Sequence, residues 1–329
     1  MSPDIDIPSS WRRSAQAILA HRLRTVLVIG AADRGKSTYC GFLAASLRAA
    51  GASVGFVDAD IGQKDVGPPA TVSLARIADE GSLARARAAC LYFVGDVDPV
   101  GHFLPLTIGT RRMTDVANTD FVVIDTPGFM DAAGGALRAY QIESLRPDVI
   151  VALQTARELD PTLRAYRMHS VFRLKTSAQA MSKPRAARQS LRRHAFRAHF
   201  ANGSHVVLER KRVAVQRARV FVGEPFEDAR FVYAERTAEG IVAIGDASVS
   251  LEREWRLLAP DFADNLLCGV LNAAGDCCGL GIIERIDFTH DRLHLFTPVS
   301  AGEIGALQFG DLYVNRHGQE LRRKRPGMF

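Results

Sequence analysis

The stretch Gly30-Ala-Ala-Asp-Arg-Gly-Lys-Ser37 sets the narrowest limits on what this chain can fold into. It fits the pattern G-x-x-x-x-G-K-[ST]. Before it lies a short β-branched apolar run, Thr25-Val-Leu-Val-Ile29, and after it a segment with helical character from Ser37 to Ala50. A phosphate-cradling loop needs this strand, loop and helix context. Gly30 and Gly35 let the backbone turn tightly, so the amides of Ala31, Ala32, Asp33 and Arg34 can approach an anion. The helix N-terminus that follows favours negative charge. In such a loop Lys36 reaches the β- and γ-phosphates and Ser37 is placed to hold Mg²⁺, with Thr38 closing the nucleotide contact set.

Further apolar runs are Ser53-Val-Gly-Phe-Val57, Cys90-Leu-Tyr-Phe-Val94, Phe121-Val-Val-Ile124 and Val149-Ile-Val-Ala-Leu153, most of them joined by helix-length connections. Alternation of this kind predicts an α/β fold, a doubly wound, mostly parallel sheet of the P-loop NTPase type. Ser9 and Ser10 can cap a first helix whose apolar positions are Trp11, Ala15, Ile18 and Leu19. Ser182 is a candidate N-cap for an arginine-rich helix, with Pro184 in its first turn. Beyond Asn202-Gly203 the hydrophobic period becomes two, in runs such as His205–Leu208, Val213–Val222, Ile241–Ile244, Leu267–Leu271, Gly279–Ile283 and Leu293–Phe296. The expected organisation is a phosphate-loop domain over residues 1–202, including an arginine-rich lid at about 182–200, and a mostly β domain over 203–329.

The net charge of +6 is unevenly spread. Between Pro161 and Val220 stand fifteen Lys or Arg residues against one acid, Glu209, so the rest of the chain is acidic. One basic belt on an acidic protein points to a polyanionic partner. No apolar run approaches the width of a bilayer, and no secretory signal is expected at the N-terminus, so neither membrane insertion nor export is expected. Five cysteines without a C-x-x-C pair predict free thiols in a reducing cytoplasm rather than a zinc site.

Two carboxylate motifs follow strands and so fall at the sheet edge where ligands of such folds bind. The first is Asp58-Ala-Asp-Ile-Gly-Gln63. Phosphoryl transfer to a hydroxyl needs a carboxylate that orients the nucleophile and accepts its proton near Mg²⁺, and either Asp58 or Asp60 could serve. The second is Asp125-Thr-Pro-Gly128, which has the form of a γ-phosphate sensor. No Asn-Lys-x-Asp or Thr-Lys-x-Asp motif follows it, which argues against a guanine-specific switch and leaves the choice of ATP or GTP open. Arg188 and Arg192 lie one helical turn apart, as a lid closing over a transferring phosphoryl group would require.

These residues together resemble the polynucleotide 5′-hydroxyl kinase family, which includes the kinase subunit of the messenger-RNA cleavage complex and the nucleolar kinase of ribosomal-RNA processing. The resemblance runs in order through Gly30 to Thr38 with its internal Asp33, Asp58 to Gln63, Val66 to Leu74, Tyr92 to His102, and Arg188, Arg192, Phe196 and Phe200. It covers roughly residues 5 to 315. Eukaryotic members carry an additional N-terminal β domain, whereas here the sheet begins early, so the chain is similar to compact prokaryotic members. Where eukaryotic relatives have Asn-Thr-x-Gly-Trp, this sequence has Asp125-Thr-Pro-Gly-Phe129.

The resemblance implies transfer of the γ-phosphate of ATP to the 5′-hydroxyl end of single-stranded RNA or DNA. It implies catalytic roles for Lys36, Asp60, Arg188 and Arg192, and Mg²⁺ held by Ser37 and Asp60, with Asp125 a further carboxylate near the ion. Gln63, Asp96, His102 and Phe129 are the implied substrate contacts, Phe129 by stacking on the terminal base. A different class fits the same loop and belt: a nucleotide-binding scaffold of RNA processing without transfer activity. No protein partner is identified from the sequence.

Overall fold

The computed structural model describes residues 6–77, 83–177, 179–246 and 255–323. The chain divides into two compact units, one ending at Ala195 and one beginning at Phe196.

The first unit contains α1 (Ser9–Ala20), β1 (Thr25–Gly30), α2 (Lys36–Ala49), β2 (Val54–Asp58), β3 (Thr71–Arg76), β4 (Cys90–Phe93), α3 (Phe103–Asp115), β5 (Phe121–Asp125), α4 (Ala132–Leu145), β6 (Val149–Gln154), α5 (Asp160–Ala165) and β7 (Ser170–Lys175), followed by the start of α6 (Arg185–His199). Its strands lie in the order β4-β3-β2-β5-β1-β6-β7. The five from β2 to β7 are mutually parallel, while β3 and β4 add antiparallel strands at one edge. Alternation along each strand divides the core into two layers. Val26 and Val28 of β1 pack with Trp11, Ile18, Tyr39, Leu43 and Leu47 of α1 and α2. Leu27 and Ile29 face the other side, against Leu106, Met113, Leu137, Ile142 and Leu145 of α3 and α4. Both faces of the sheet are therefore covered, which explains the near-continuous apolar composition of its central strands.

The second unit is built from β8 (Ser204–Glu209), β9 (Ala214–Gln216), β10 (Glu224–Phe226), β11 (Tyr233–Thr237), β12 (Gly240–Ile244), β13 (Trp255–Leu258), β14 (Leu266–Leu271), β15 (Cys277–Asp287), β16 (Arg292–Thr297), β17 (Ala306–Val314) and β18 (Glu320–Arg323). Antiparallel pairing runs β8-β16-β15-β14-β17-β18, with β9 parallel to β17. A second small sheet has the order β10-β11-β12-β13. The larger sheet carries a core that includes Val206, Leu208, Leu266, Ile283, Leu295 and Phe309.

Four local expectations are corrected. Val213–Val222 is strand only over Ala214–Gln216, because Arg217 and Phe221 adopt positive φ and turn the chain away from extended pairing. Ser182 caps no helix: α6 starts at Arg185, and the Ser182 hydroxyl donates to Asp33 instead. Helix α1 begins at Ser9 itself, with Pro8 at the N-cap position, so neither serine caps it by a side-chain bond. Leu19 stays 38% exposed, whereas Trp11, Ala15 and Ile18 are buried.

Candidate active site

Strands β2, β5 and β1 are in register, with Asp58 opposite Asp125 and Asp125 opposite Val28, so three strand ends meet along one edge. The phosphate loop leaves β1 at that edge. Asp33 and Gly35 adopt left-handed φ values of 61° and 83°, which fold the loop back on itself. Glycine takes such values without strain, and aspartate tolerates them better than most residues. Gly35 is the N-cap of α2 and supplies no side-chain cap, which leaves the first amides of that helix available to an anion. Trp11 packs beneath Gly35 and donates its indole N–H to the Lys175 carbonyl at 3.1 Å.

Lys36 is buried, and its Nζ donates to the Ala31 carbonyl at 3.1 Å. The Ala32 amide donates to the Gly128 carbonyl at 3.0 Å, so this one amide is committed to the neighbouring loop rather than offered to phosphate. Gly128 is there of necessity: a Cβ would lie 2.4 Å from the Ala32 nitrogen. Arg34 pairs loosely with Glu158 at 3.9 Å.

The acids of the edge divide their roles. Asp58 is 1% exposed and receives the amides of Asp65 and Val66 on Oδ2 at 2.8 and 3.0 Å, while its Oδ1 pairs with the buried Lys64 ammonium at 3.1 Å. Burial pulls the Lys64 ammonium below its usual range, against the favourable charge of Asp58. Asp58 thus anchors the loop after β2. Asp60 receives the amides of Gly62 and Gln63 on Oδ1 at 3.0 and 2.9 Å. Burial raises its carboxyl, Lys36 opposes the rise, and Asp58 adds to it.

The carboxylate set directly against Ser37 is Asp125: the Ser37 hydroxyl donates to Oδ2 at 2.6 Å. Its Oδ1 is buried and has no hydrogen-bond partner among the described residues. Burial pushes the Asp125 carboxyl up to about 7, with Lys36 opposing and Asp58 and Asp60 reinforcing. An orphaned carboxylate oxygen beside a serine hydroxyl is the hard oxygen donor set that suits Mg²⁺. Among the described residues no three His, Cys, Asp or Glu side chains form a metal cage by themselves, so phosphate oxygens and water would have to complete the shell.

Ser37, Thr38, Gln63, Asp65, Lys183 and Arg192 line one cavity of about 800 Å³, whose apolar wall includes Phe42, Leu83 and Leu191. Burial raises the Asp65 carboxyl and Asp58 adds to the rise, while the Ser37 hydroxyl and the Lys183 charge oppose it. Asp65 belongs to no motif singled out from the sequence, although a third acid two residues after Gln63 is a visible signal. The segment from Ser182 to Arg188 meets the phosphate loop at Asp33. Its Oδ2 receives the Ser182 hydroxyl at 3.3 Å, the Lys183 amide at 3.0 Å and Arg188 Nη2 at 2.5 Å. Partial burial works to raise the Asp33 carboxyl, but the Lys183 amide, Arg188 and Ser182 together hold it below its ordinary value.

The remaining substrate candidates do not line this cavity. Asp96 is buried and receives the amides of Val97 and Asp98, bracing its own turn. His102 is buried at the start of α3, its Nδ1 3.1 Å from the Val100 carbonyl. Phe129 is half-buried with its ring centroid 6.4 Å from that of Phe103, and its carbonyl accepts from Arg138 at 2.6 Å. Phe196 and Phe200 are buried, Phe200 stacking obliquely near Phe296.

A parallel sheet that carries a phosphate loop after its central strand and acids at the neighbouring strand ends defines a P-loop nucleotide-binding protein. More particularly, the chain belongs to the family described as the mRNA cleavage and polyadenylation factor CLP1 P-loop, whose model matches residues 30–202. A Pyrococcus furiosus protein named polyribonucleotide 5′-hydroxyl-kinase is 32% identical over 96% of this chain and 95% of its own length. A Pyrococcus abyssi protein of the same designation is 32% identical over 90% of this chain and 89% of its own. The fold is similar to that in the solved wild-type Clp1p–Pcf11p complex, with a TM-score of 0.62 at 12% identity, covering 93% of this chain and 79% of that one. No helix among the described residues is long and apolar enough to cross a membrane.

Proposed function

We propose that the chain is an ATP-dependent polynucleotide 5′-hydroxyl kinase acting on RNA ends. The observation that carries this reading is the gathering, at one sheet edge, of Lys36, the Ser37–Asp125 pair and Asp60, with the lid arginine Arg188 held on the phosphate loop. The near full-length relatives named polyribonucleotide 5′-hydroxyl-kinase support the substrate class. Five free thiols accord with a reducing cytoplasm.

In this reading the α2 N-terminus and the loop amides hold the triphosphate, and Lys36 exchanges the Ala31 carbonyl for the β- and γ-phosphates. Ser37 and Asp125 would hold Mg²⁺, with Asp60 close by; the ion neutralises charge on the β- and γ-phosphate oxygens when bound. The oxygen of the 5′-hydroxyl attacks the γ-phosphorus as the bond from that phosphorus to the β-bridging oxygen breaks, and ADP leaves. Asp60 orients the hydroxyl and takes its proton. Arg188 and Arg192 stabilise charge on the transferred group. Gln63, on the cavity wall, contacts the terminal nucleotide, and Lys183 draws the following phosphates.

The test is transfer of labelled γ-phosphate from ATP to a 5′-hydroxyl RNA oligonucleotide with Mg²⁺ present, alongside DNA of the same sequence and GTP as donor. Labelled RNA is the expected product. Retention of nucleotide with no transfer to either polymer would overturn the kinase reading in favour of a scaffold.

A further inference from the structure

An acid at the fourth position of a phosphate loop is electrostatically awkward, because the concavity beside it has to attract phosphate. In this chain the charge of Asp33 is answered from a distant segment. Three donors from residues 182–188 converge on its Oδ2: the Ser182 hydroxyl, the Lys183 amide and the Arg188 guanidinium. Asp33 keeps only 14% of its side-chain surface and Arg188 32%. Arg188 Nε is buried and has no hydrogen-bond partner among the described residues. One edge of the guanidinium is therefore anchored on the loop while a second donor is left without an acceptor, next to a backbone shaped for phosphate. A buried guanidinium N–H left in that state is costly, and a phosphate oxygen is the acceptor that would satisfy it.

We propose that Asp33 is the positioning residue of the lid: it docks residues 182–188 onto the phosphate loop and sets Arg188 toward the transferring phosphoryl group. The Asp33 side chain acts through Arg188 and itself touches neither substrate, whatever its backbone amide does in the loop. This assignment rests on the kinase reading of the site, and it makes the loop acid part of lid closure rather than of nucleotide grip.

The test compares Asp33→Asn, Arg188→Ala and the double variant in the full-length protein. Asparagine tolerates the left-handed φ of this position and keeps an oxygen for the Lys183 amide, so the loop retains its shape while the charge is removed. Under saturating RNA, kcat of Asp33→Asn falls about tenfold while KM for ATP is nearly unchanged, and the double variant is no slower than Arg188→Ala. Limited tryptic cleavage after Arg185 and Arg188, followed on the nucleotide-free protein, is faster in Asp33→Asn than in the wild type at equal melting temperature. That second readout needs no phosphoryl transfer, so it stands even where the wild type proves inactive and the kinase reading fails. Wild-type kcat in Asp33→Asn, additive losses in the double variant, or an unchanged cleavage rate would each overturn the assignment.

Discussion

The Ser37 hydroxyl donates to Asp125 Oδ2 at 2.6 Å, joining the first turn of α2 to the end of β5 across 88 residues of chain. The other oxygen of Asp125 is buried and lacks a partner among the described residues, and burial pushes this carboxyl up to about 7. Between the ordinary value of 3.8 and about 7, the folded protein holds a proton here that the unfolded chain has released. Stability therefore falls as pH rises through that window. Asp125→Asn removes the titration while keeping an acceptor for Ser37. In melting curves recorded without metal or nucleotide, the variant should lose less stability than the wild type on going from acid to neutral pH. A variant as pH-sensitive as the wild type would move the effect to another group.

Lys36→Ala and Asp60→Asn should each lower kcat on 5′-hydroxyl RNA by about a hundredfold or more, since each removes charge that meets the reacting groups. Single-turnover transfer measures this directly. An active Asp60→Asn enzyme would shift the proton acceptor to Asp65, because Asp58 is committed to Lys64 and three backbone amides.

Gly128→Ala should weaken nucleotide binding. Its Cβ would sit 2.4 Å from the Ala32 nitrogen, and the obstacle is backbone, so the loop from Asp125 to Phe129 must lift away from the phosphate loop. Calorimetric titration with ATP should show a loss of affinity of about tenfold, the order expected when a hydrogen-bonded backbone contact is lost.

In the second unit, His199 Nε2 accepts the Leu280 amide at 3.0 Å, and burial lowers its pKa from 6.5 to about 4. The unfolded chain takes up a proton between those values and the folded chain does not. The stability that this group provides is therefore complete above 6.5 and is lost progressively on acidification toward 4. His199→Gln retains an acceptor without titrating, so acid unfolding of the variant should show a shallower pH dependence.

Trp11→Ala should cost about 3–5 kcal/mol, the range for emptying a fully buried large aromatic site. Trp11 is 0% exposed, stands edge-on to Tyr39 at 5.2 Å between ring centroids, and supports Gly35 from below. Denaturant titration measures the loss, and nucleotide affinity should fall with it.

The phosphate loop, the central strands and the helix behind the loop were legible in the sequence, because each rests on residues adjacent in the chain. Glycines at Gly30 and Gly35, the apolar run Thr25–Ile29 and the helical stretch after Ser37 declare a local backbone path without reference to anything distant. The run Val213–Val222 misled because apolar composition does not reveal the positive φ of Arg217 and Phe221.

Asp58 and Asp60 are chemically identical and two residues apart, so pattern alone could not divide their roles. The fold did so by burying Lys64 against Asp58 and turning Asp60 onto the Gly62 and Gln63 amides. Likewise Ser182 reads as a helix cap until Asp33, 149 residues earlier, is brought beside it. What the sequence determined by itself was the nucleotide-binding frame, since short-range sterics and hydrophobic period dictate it. Which carboxylate stands on Ser37, which one is locked away and where Arg188 rests were decided by the tertiary structure. A charge finds its partner through space, and only the folded sheet brings those strand ends together.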